Sequence, residues 1–196
     1  MFAKVLIANR GEVAIRINTT LERLGIEAVG VYTQRDRDSL HVQQIARSLV
    51  LHDSDQTGYL DGAQIISAAK TSGAEAIHPG YGFLAESADF AAACEDAGLI
   101  FIGPSARAIA AMGEKISARA FAEQAGVAVV PGVSAPNMTN ADLLEACRDL
   151  QFPLLVKPAA GGGGKGLHIA HNFAELGDVL PTARREAKAA FVDRRL

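Results

Sequence analysis

The chain has 196 residues, of which 49% are apolar and 21% charged, with a formal net charge of −3. That is ordinary globular α/β composition, long enough for one sizeable core or one and a half domains. It excludes a general nucleic-acid surface, which needs a strong basic excess.

The N-terminus, Met1-Phe2-Ala3-Lys4-Val5-Leu6-Ile7, reads as entering a strand directly, so no signal peptide is expected, and no apolar run reaches the ~20 residues needed to cross a bilayer. Lys4 to Ala8 reads as a short, fully buried strand. Gly11 to Leu24 reads as a helix with apolar positions Val13, Ile17, Leu21 and Leu24, stopped by Gly25. Strands are expected at Ala28–Tyr32, more weakly at Leu49–Leu51, then at Ala74–Ile77 and Leu99–Ile102. Helices are expected between them at Ala63–Ala69 and Ala88–Ala97, the latter closed by Gly98. This alternation argues for a parallel sheet with helices on both faces, which binds ligands at the carboxyl ends of its strands. The turns there are Asn9-Arg10-Gly11-Glu12, His78-Pro79-Gly80-Tyr81-Gly82 and Gly103-Pro104-Ser105. A dinucleotide site would want Gly-x-Gly-x-x-Gly after the first strand, where only Gly11 stands.

Ser105 to Ala125 reads as helix interrupted at Gly113 and ended by Gly126, followed by a short strand at Val127–Val130. Pro131 to Asn140 is turn-rich and reads as a hinge. A helix over Asp142–Leu150, a strand at Leu154–Val156, a strand-like run Leu167–Ala170 and a helix over Phe173–Phe191 complete the chain. Leu176, Leu180 and Ala187 are inner positions of that last helix. Two or three strands and two helices are too few to cover both faces of an apolar sheet, so a longer protein or a partner is expected. Cys94 and Cys147 each lie in an alanine-rich helical stretch, which points to small buried hydrophobes and a reducing, cytoplasmic compartment.

The most informative stretch follows the Leu154–Val156 strand. Lys157 is succeeded by Pro158, two alanines, four consecutive glycines (161–164), Lys165 and Gly166. Glycines let backbone N–H groups approach a ligand closely, and successive exposed N–H groups form a concavity suited to phosphate. With a lysine on each side, the stretch reads as a flap over a nucleotide; the competing reading is a mobile linker. No Gly-Lys-Ser/Thr closes it, so it is not a Walker A loop.

Ile7-Ala8-Asn9-Arg10-Gly11-Glu12, the run from Ala76 to Glu86 and Lys157 with its glycines together resemble the biotin carboxylase family, from Met1 to Leu196. The resemblance implies a Rossmann-like parallel sheet over residues 1–112, a connecting helix and strand over 113–130, and an incomplete ATP-grasp lid subdomain over 131–196. It implies ATP-dependent activation of bicarbonate and carboxylation of biotin, with magnesium assisting. Lys115 (in Met112-Gly113-Glu114-Lys115), Lys157, Gly163, Gly164, Lys165 and Leu167 carry over as ATP-binding residues. Lys165 stands where arginine is common and Leu167 where methionine is usual. His78, Tyr81, Gly82 and Glu86 carry over to the biotin and bicarbonate side. His78 is either a general base or a shaper of its turn, and the lack of a paired acid favours the turn.

The implied partners are bicarbonate, biotin or a biotin carboxyl carrier domain, a carboxyltransferase and, through the first helix where Arg16 fits, a second copy of the chain. His168 and His171 have no third partner, so no metal site is expected here. The family's acidic magnesium ligands and catalytic residues are expected beyond Leu196, which makes residues 1–196 inactive alone. The rival readings are a non-catalytic nucleotide-binding or regulatory module and a fragment of another ATP-grasp ligase, such as a carbamoyl-phosphate synthase.

Overall fold

The computed structural model describes residues 1–52, 58–113, 115–133, 137–159 and 166–191. The chain forms two compact units, Met1–Ala110 and Ala111–Leu196.

The first unit is built on five parallel strands: β1 (Lys4–Ile7), β2 (Glu27–Thr33), β3 (Arg47–Leu51), β4 (Ala76–His78) and β5 (Ile100–Phe101), in the order β3-β2-β1-β4-β5. Helices α1 (Gly11–Arg23), α2 (Leu40–Gln44), α3 (Gly62–Ser72) and α4 (Ala88–Asp96) connect them. Side chains alternate across a strand, and here both sets are buried. Leu6 and Ala8 join Val29, Val31 and Ile77 in one cluster, whereas Val5 and Ile7 join Ala28 and Ala76 in another. The register matches, since Leu6 lies beside Val29 and Ile77, and Val5 beside Ala28 and Ala76. A sheet covered on both faces reads as a continuous apolar run, as Val5-Leu6-Ile7 does.

On α1 the buried stripe is Ala14, Asn18 and Leu21, while Leu24 is exposed, against expectation. The helix end explains this. Gly25 takes φ +69°, its N–H bonds to the carbonyl of Glu22, and the Ile26 N–H reaches back to Leu21. In this Schellman arrangement the residue after the glycine packs against the last turn. Ile26 therefore takes the buried place that Leu24 was expected to fill. Helix α2 and three short 3-10 turns, Gln34–Asp36, Gly58–Leu60 and Phe83–Glu86, have no counterpart in the sequence reading.

Helix α5 (Ala106–Gly113) spans the boundary at Ala111, and α6 (Lys115–Gln124) is the first helix that lies wholly in the second unit. The strand expected at Val127–Val130 does not form among the described residues. Its backbone groups are already engaged with α6: the Val127 N–H bonds to Ala122, and the Val130 carbonyl accepts from Arg119 Nη1 at 2.6 Å. Helix α7 (Asn140–Ala146) opens on a reciprocal capping box between Thr139 and Asp142 and ends earlier than the expected Leu150. β6 (Leu154–Val156) pairs antiparallel with β7 (His168–Ala170), and α8 (Phe173–Phe191) follows. Leu176, Leu180, Ala183 and Ala187 form one buried face of α8, and the first three pack with Leu143, Cys147, Val156 and Ala170. The other face of the hairpin is open: the cross-strand pair Leu155 and Ile169 is 56% and 57% exposed.

Candidate functional site

In the first unit, the sheet order reverses at β1, and the crevice lies where the ends of β1 and β4 part toward different neighbours. The turns after these two strands are joined by hydrogen bonds. The Ala8 N–H bonds to His78 O at 2.9 Å. Asn9, 2% exposed, donates through Nδ2 to the carbonyls of Pro79 (2.7 Å) and Tyr81 (2.9 Å), and its Oδ1 accepts from the Arg10 N–H at 2.9 Å.

His78 Nδ1 accepts from the Gly80 N–H at 3.1 Å, and burial lowers its pKa below the ordinary histidine value. The ring is a neutral acceptor that shapes the turn. Gly80 sits at φ +69°, and a β-carbon there would lie 2.6 Å from Val13 Cγ1 and 2.7 Å from Asn9 Nδ2. Only glycine fits. Tyr81 is 66% exposed, and its hydroxyl donates to Glu12 Oε1 at 2.5 Å. That bond and the carboxylate charge raise the phenol pKa. Gly82 is half-buried, and Glu86 is exposed at the end of the 83–86 turn.

A second network lay hidden in the sequence. Arg10 and Glu12, from the turn after β1, reach across to other segments: Glu12 to Tyr81, and Arg10 Nη2 to Asp36 Oδ1 at 2.6 Å. Asp36 is 6% exposed and also accepts from the Tyr59 hydroxyl at 2.7 Å. Burial first, and that bond to Asp36 second, push the Tyr59 phenol far above its ordinary pKa. The Arg10 guanidinium lies 5.7 Å from the Tyr59 ring centroid, and Phe83 stacks on the same ring at 5.4 Å. Phe83 holds φ +42°, a conformation that costs a side-chain-bearing residue about 1–3 kcal/mol. Asp36 and Tyr59 were missed because neither stands in a motif; only the fold brings them to Arg10.

In the second unit, a cleft of about 790 Å³ is lined by Lys115, Lys157, Leu155, Val156 and Ala159, among others. Lys115 opens α6, and its Nζ donates to Ala159 O at 3.4 Å. Lys157 follows β6 directly and is exposed. Two cations beside an apolar wall can hold a polyanion that carries an apolar body. Leu167, just before β7, is 45% exposed. Gly163, Gly164 and Lys165 lie outside the described residues. His168 Nε2 faces Glu186 Oε2 at 2.8 Å. Among the described residues, no group of three His, Cys, Asp or Glu could hold a metal ion, and no helix is long and apolar enough to cross a membrane. Both cysteines are buried, and burial raises their pKa values, that of Cys94 to about 11.

Comparison with known proteins gives two family matches: "Biotin carboxylase, N-terminal domain" over residues 1–109 and "Carbamoyl-phosphate synthase L chain, ATP binding domain" over 114–196. The methylcrotonoyl-CoA carboxylase α subunit of Glycine max is 49% identical over 190 residues, 96% of this chain but 26% of that protein. Biotin carboxylase 1 of Bacillus subtilis is 44% identical over 192 residues, 97% of this chain and 43% of that protein. A solved dimer of the biotin carboxylase domain of Hydrogenobacter thermophilus 2-oxoglutarate carboxylase, in complex with MgADP, ADP and bicarbonate, superposes with TM-score 0.92. It is 38% identical, covering all of this chain and 43% of that one. The chain thus spans less than half the length of each of these relatives.

Proposed function

The chain belongs to the biotin carboxylase family through its N-terminal domain, and we propose that it forms the N-terminal and lid portion of an ATP- and bicarbonate-dependent enzyme that carboxylates biotin. The observation that carries this reading is the cleft of the second unit, which gathers Lys115 and Lys157 beside an apolar wall. Bound there, the nucleotide supplies the phosphoryl group that activates bicarbonate. Lys115 and Lys157 hold its phosphates, helped by the amides of Gly163 and Gly164 and by Lys165, while Leu155 and Leu167 offer apolar surface to its base. Charge neutralisation and positioning dominate phosphoryl transfer, which suits a donor set of ammonium groups and amides.

On the substrate side, Tyr81, Gly82 and Glu86 line the approach of biotin and bicarbonate, with His78 shaping their turn. No group of three His, Cys, Asp or Glu among the described residues fits a metal, and the reading places the magnesium ligands outside those residues. A biotin carboxyl carrier domain, a carboxyltransferase and a second copy of the chain are the proposed partners. The match over residues 1–109, together with the His78–Glu86 motif, favours biotin chemistry over the carbamoyl-phosphate synthase reading.

The test is phosphate release with bicarbonate, with and without free biotin. The full-length protein should show bicarbonate-dependent release stimulated by biotin, and residues 1–196 alone should show none. Release by the full-length protein that ignores both bicarbonate and biotin would overturn the proposal.

A further inference from the structure

We propose that Asn9 is a positioning residue for the substrate-side wall, its carboxamide setting how Tyr81 is presented; this rests on the substrate-side reading of Tyr81 above. The orientation of the amide follows from its neighbours, with two carbonyl acceptors on one side and the Arg10 N–H donor on the other. One NH₂ group thus spans the carbonyls of Pro79 and Tyr81, and the residue between them is the glycine whose missing β-carbon lets Asn9 approach. The clamp turns the Tyr81 carbonyl inward and leaves its side chain outside. The phenol then reaches the Glu12 carboxylate on the first turn of α1. Both fixed points of Tyr81, its carbonyl on Asn9 and its hydroxyl on Glu12, therefore belong to the segment following β1. Downstream, the strained Phe83 is held against Tyr59, so the loop has little freedom to relax if the clamp is lost.

Asn18 is the natural control. It is also a buried asparagine of the first unit, but its Nδ2 bonds to Glu22 on its own helix, away from the turn. Asn9→Asp keeps the shape and replaces the donor pair with a carboxylate facing two carbonyl oxygens. In the full-length protein this change should raise the KM for free biotin about tenfold, the scale of a lost buried hydrogen bond. The KM for ATP should stay within about twofold, and Asn18→Ala should leave the biotin KM alone. A purely structural role would move both constants together or move neither, and either result overturns the proposal.

A second readout needs no turnover. Glu12 raises the Tyr81 phenol pKa, so releasing the turn in Asn9→Ser should bring that titration back toward the ordinary value of about 10. Tyrosinate absorbance, with Tyr81→Phe as the subtraction standard, reads it, and an unmoved titration sinks the clamp. Tyr81→Ala separates the two levels of argument. If that change moves the biotin KM and Asn9→Asp does not, the positioning role alone fails. If Tyr81→Ala leaves the constant unchanged, the substrate-side reading falls and the role of Asn9 falls with it.

Discussion

Acidification should loosen the first unit through His41. This residue, on α2, is 0% exposed; its Nε2 lies 3.3 Å from Val31 O, and its Nδ1 has no partner among the described residues. Protonation would create a second buried N–H with nothing to accept it. Burial lowers the pKa, the nearby Arg10 adds to the lowering, and the Val31 carbonyl and Asp36 offset it only in part. The sign follows from linkage. Below about pH 6.5 the unfolded chain takes up a proton that the folded chain refuses, so stability falls with pH until the folded pKa is reached. One proton gives at most about 1.4 kcal/mol per pH unit, so about 1.4 kcal/mol is the ceiling for His41 between pH 8 and 5.5. His78, lowered by burial, acts in the same direction. Urea midpoints at pH 8 and 5.5 should be compared for the unaltered protein and His41→Gln, which can still donate to Val31 but cannot titrate. With a urea dependence of about 1–3 kcal/mol per molar, the unaltered protein should lose more of its midpoint, by an amount whose ceiling is about 0.5–1.4 M. Parallel losses in the two proteins would refute the assignment, because every other titration is common to both.

Two further outcomes are expected. Lys157→Ala in the full-length protein should raise the KM for ATP by about 10- to 150-fold, corresponding to the ~1.5–3 kcal/mol of a charge-assisted hydrogen bond; an unchanged KM and kcat would remove Lys157 from the site. Leu176→Ala, which empties a fully buried position of α8, should destabilise the second unit by about 2–5 kcal/mol in denaturant unfolding; a loss below about 1 kcal/mol would mean that this core closes around the gap.

The parallel sheet was legible because doubly buried strands leave unbroken apolar runs such as Val5-Leu6-Ile7, and α8 because its inner positions, Leu176 to Ala187, keep a helical period over about three turns. Helix ends were harder. Leu24 fits the period of α1, but the Schellman turn hands its place to Ile26, a choice made by three-dimensional packing. Val127–Val130 has strand-like composition, yet composition cannot report that helix α6 already uses its backbone groups. The site showed the same division. Lys157 and the His78–Gly82 turn announce themselves as local motifs. Asp36 and Tyr59 meet Arg10 across 26 and 49 residues of sequence, and no local pattern encodes that meeting.

The strand at the centre of the sheet is made well before one of its two neighbours. β1 can pair with β2 early, but its other neighbour, β4, begins only at Ala76. At about 5–20 residues per second, the intervening stretch of roughly 70 residues takes about 4–14 s to synthesise. For that interval β1 is an open edge, with Leu6 and Ile7 lacking half of their eventual cover, the kind of surface that recruits other nascent chains. A ribosomal pause within residues 34–75 lengthens the exposure, whereas one placed well after His78 lets the sheet close first. Synonymous codon choice across that segment is therefore a lever on soluble yield that leaves every side chain unchanged.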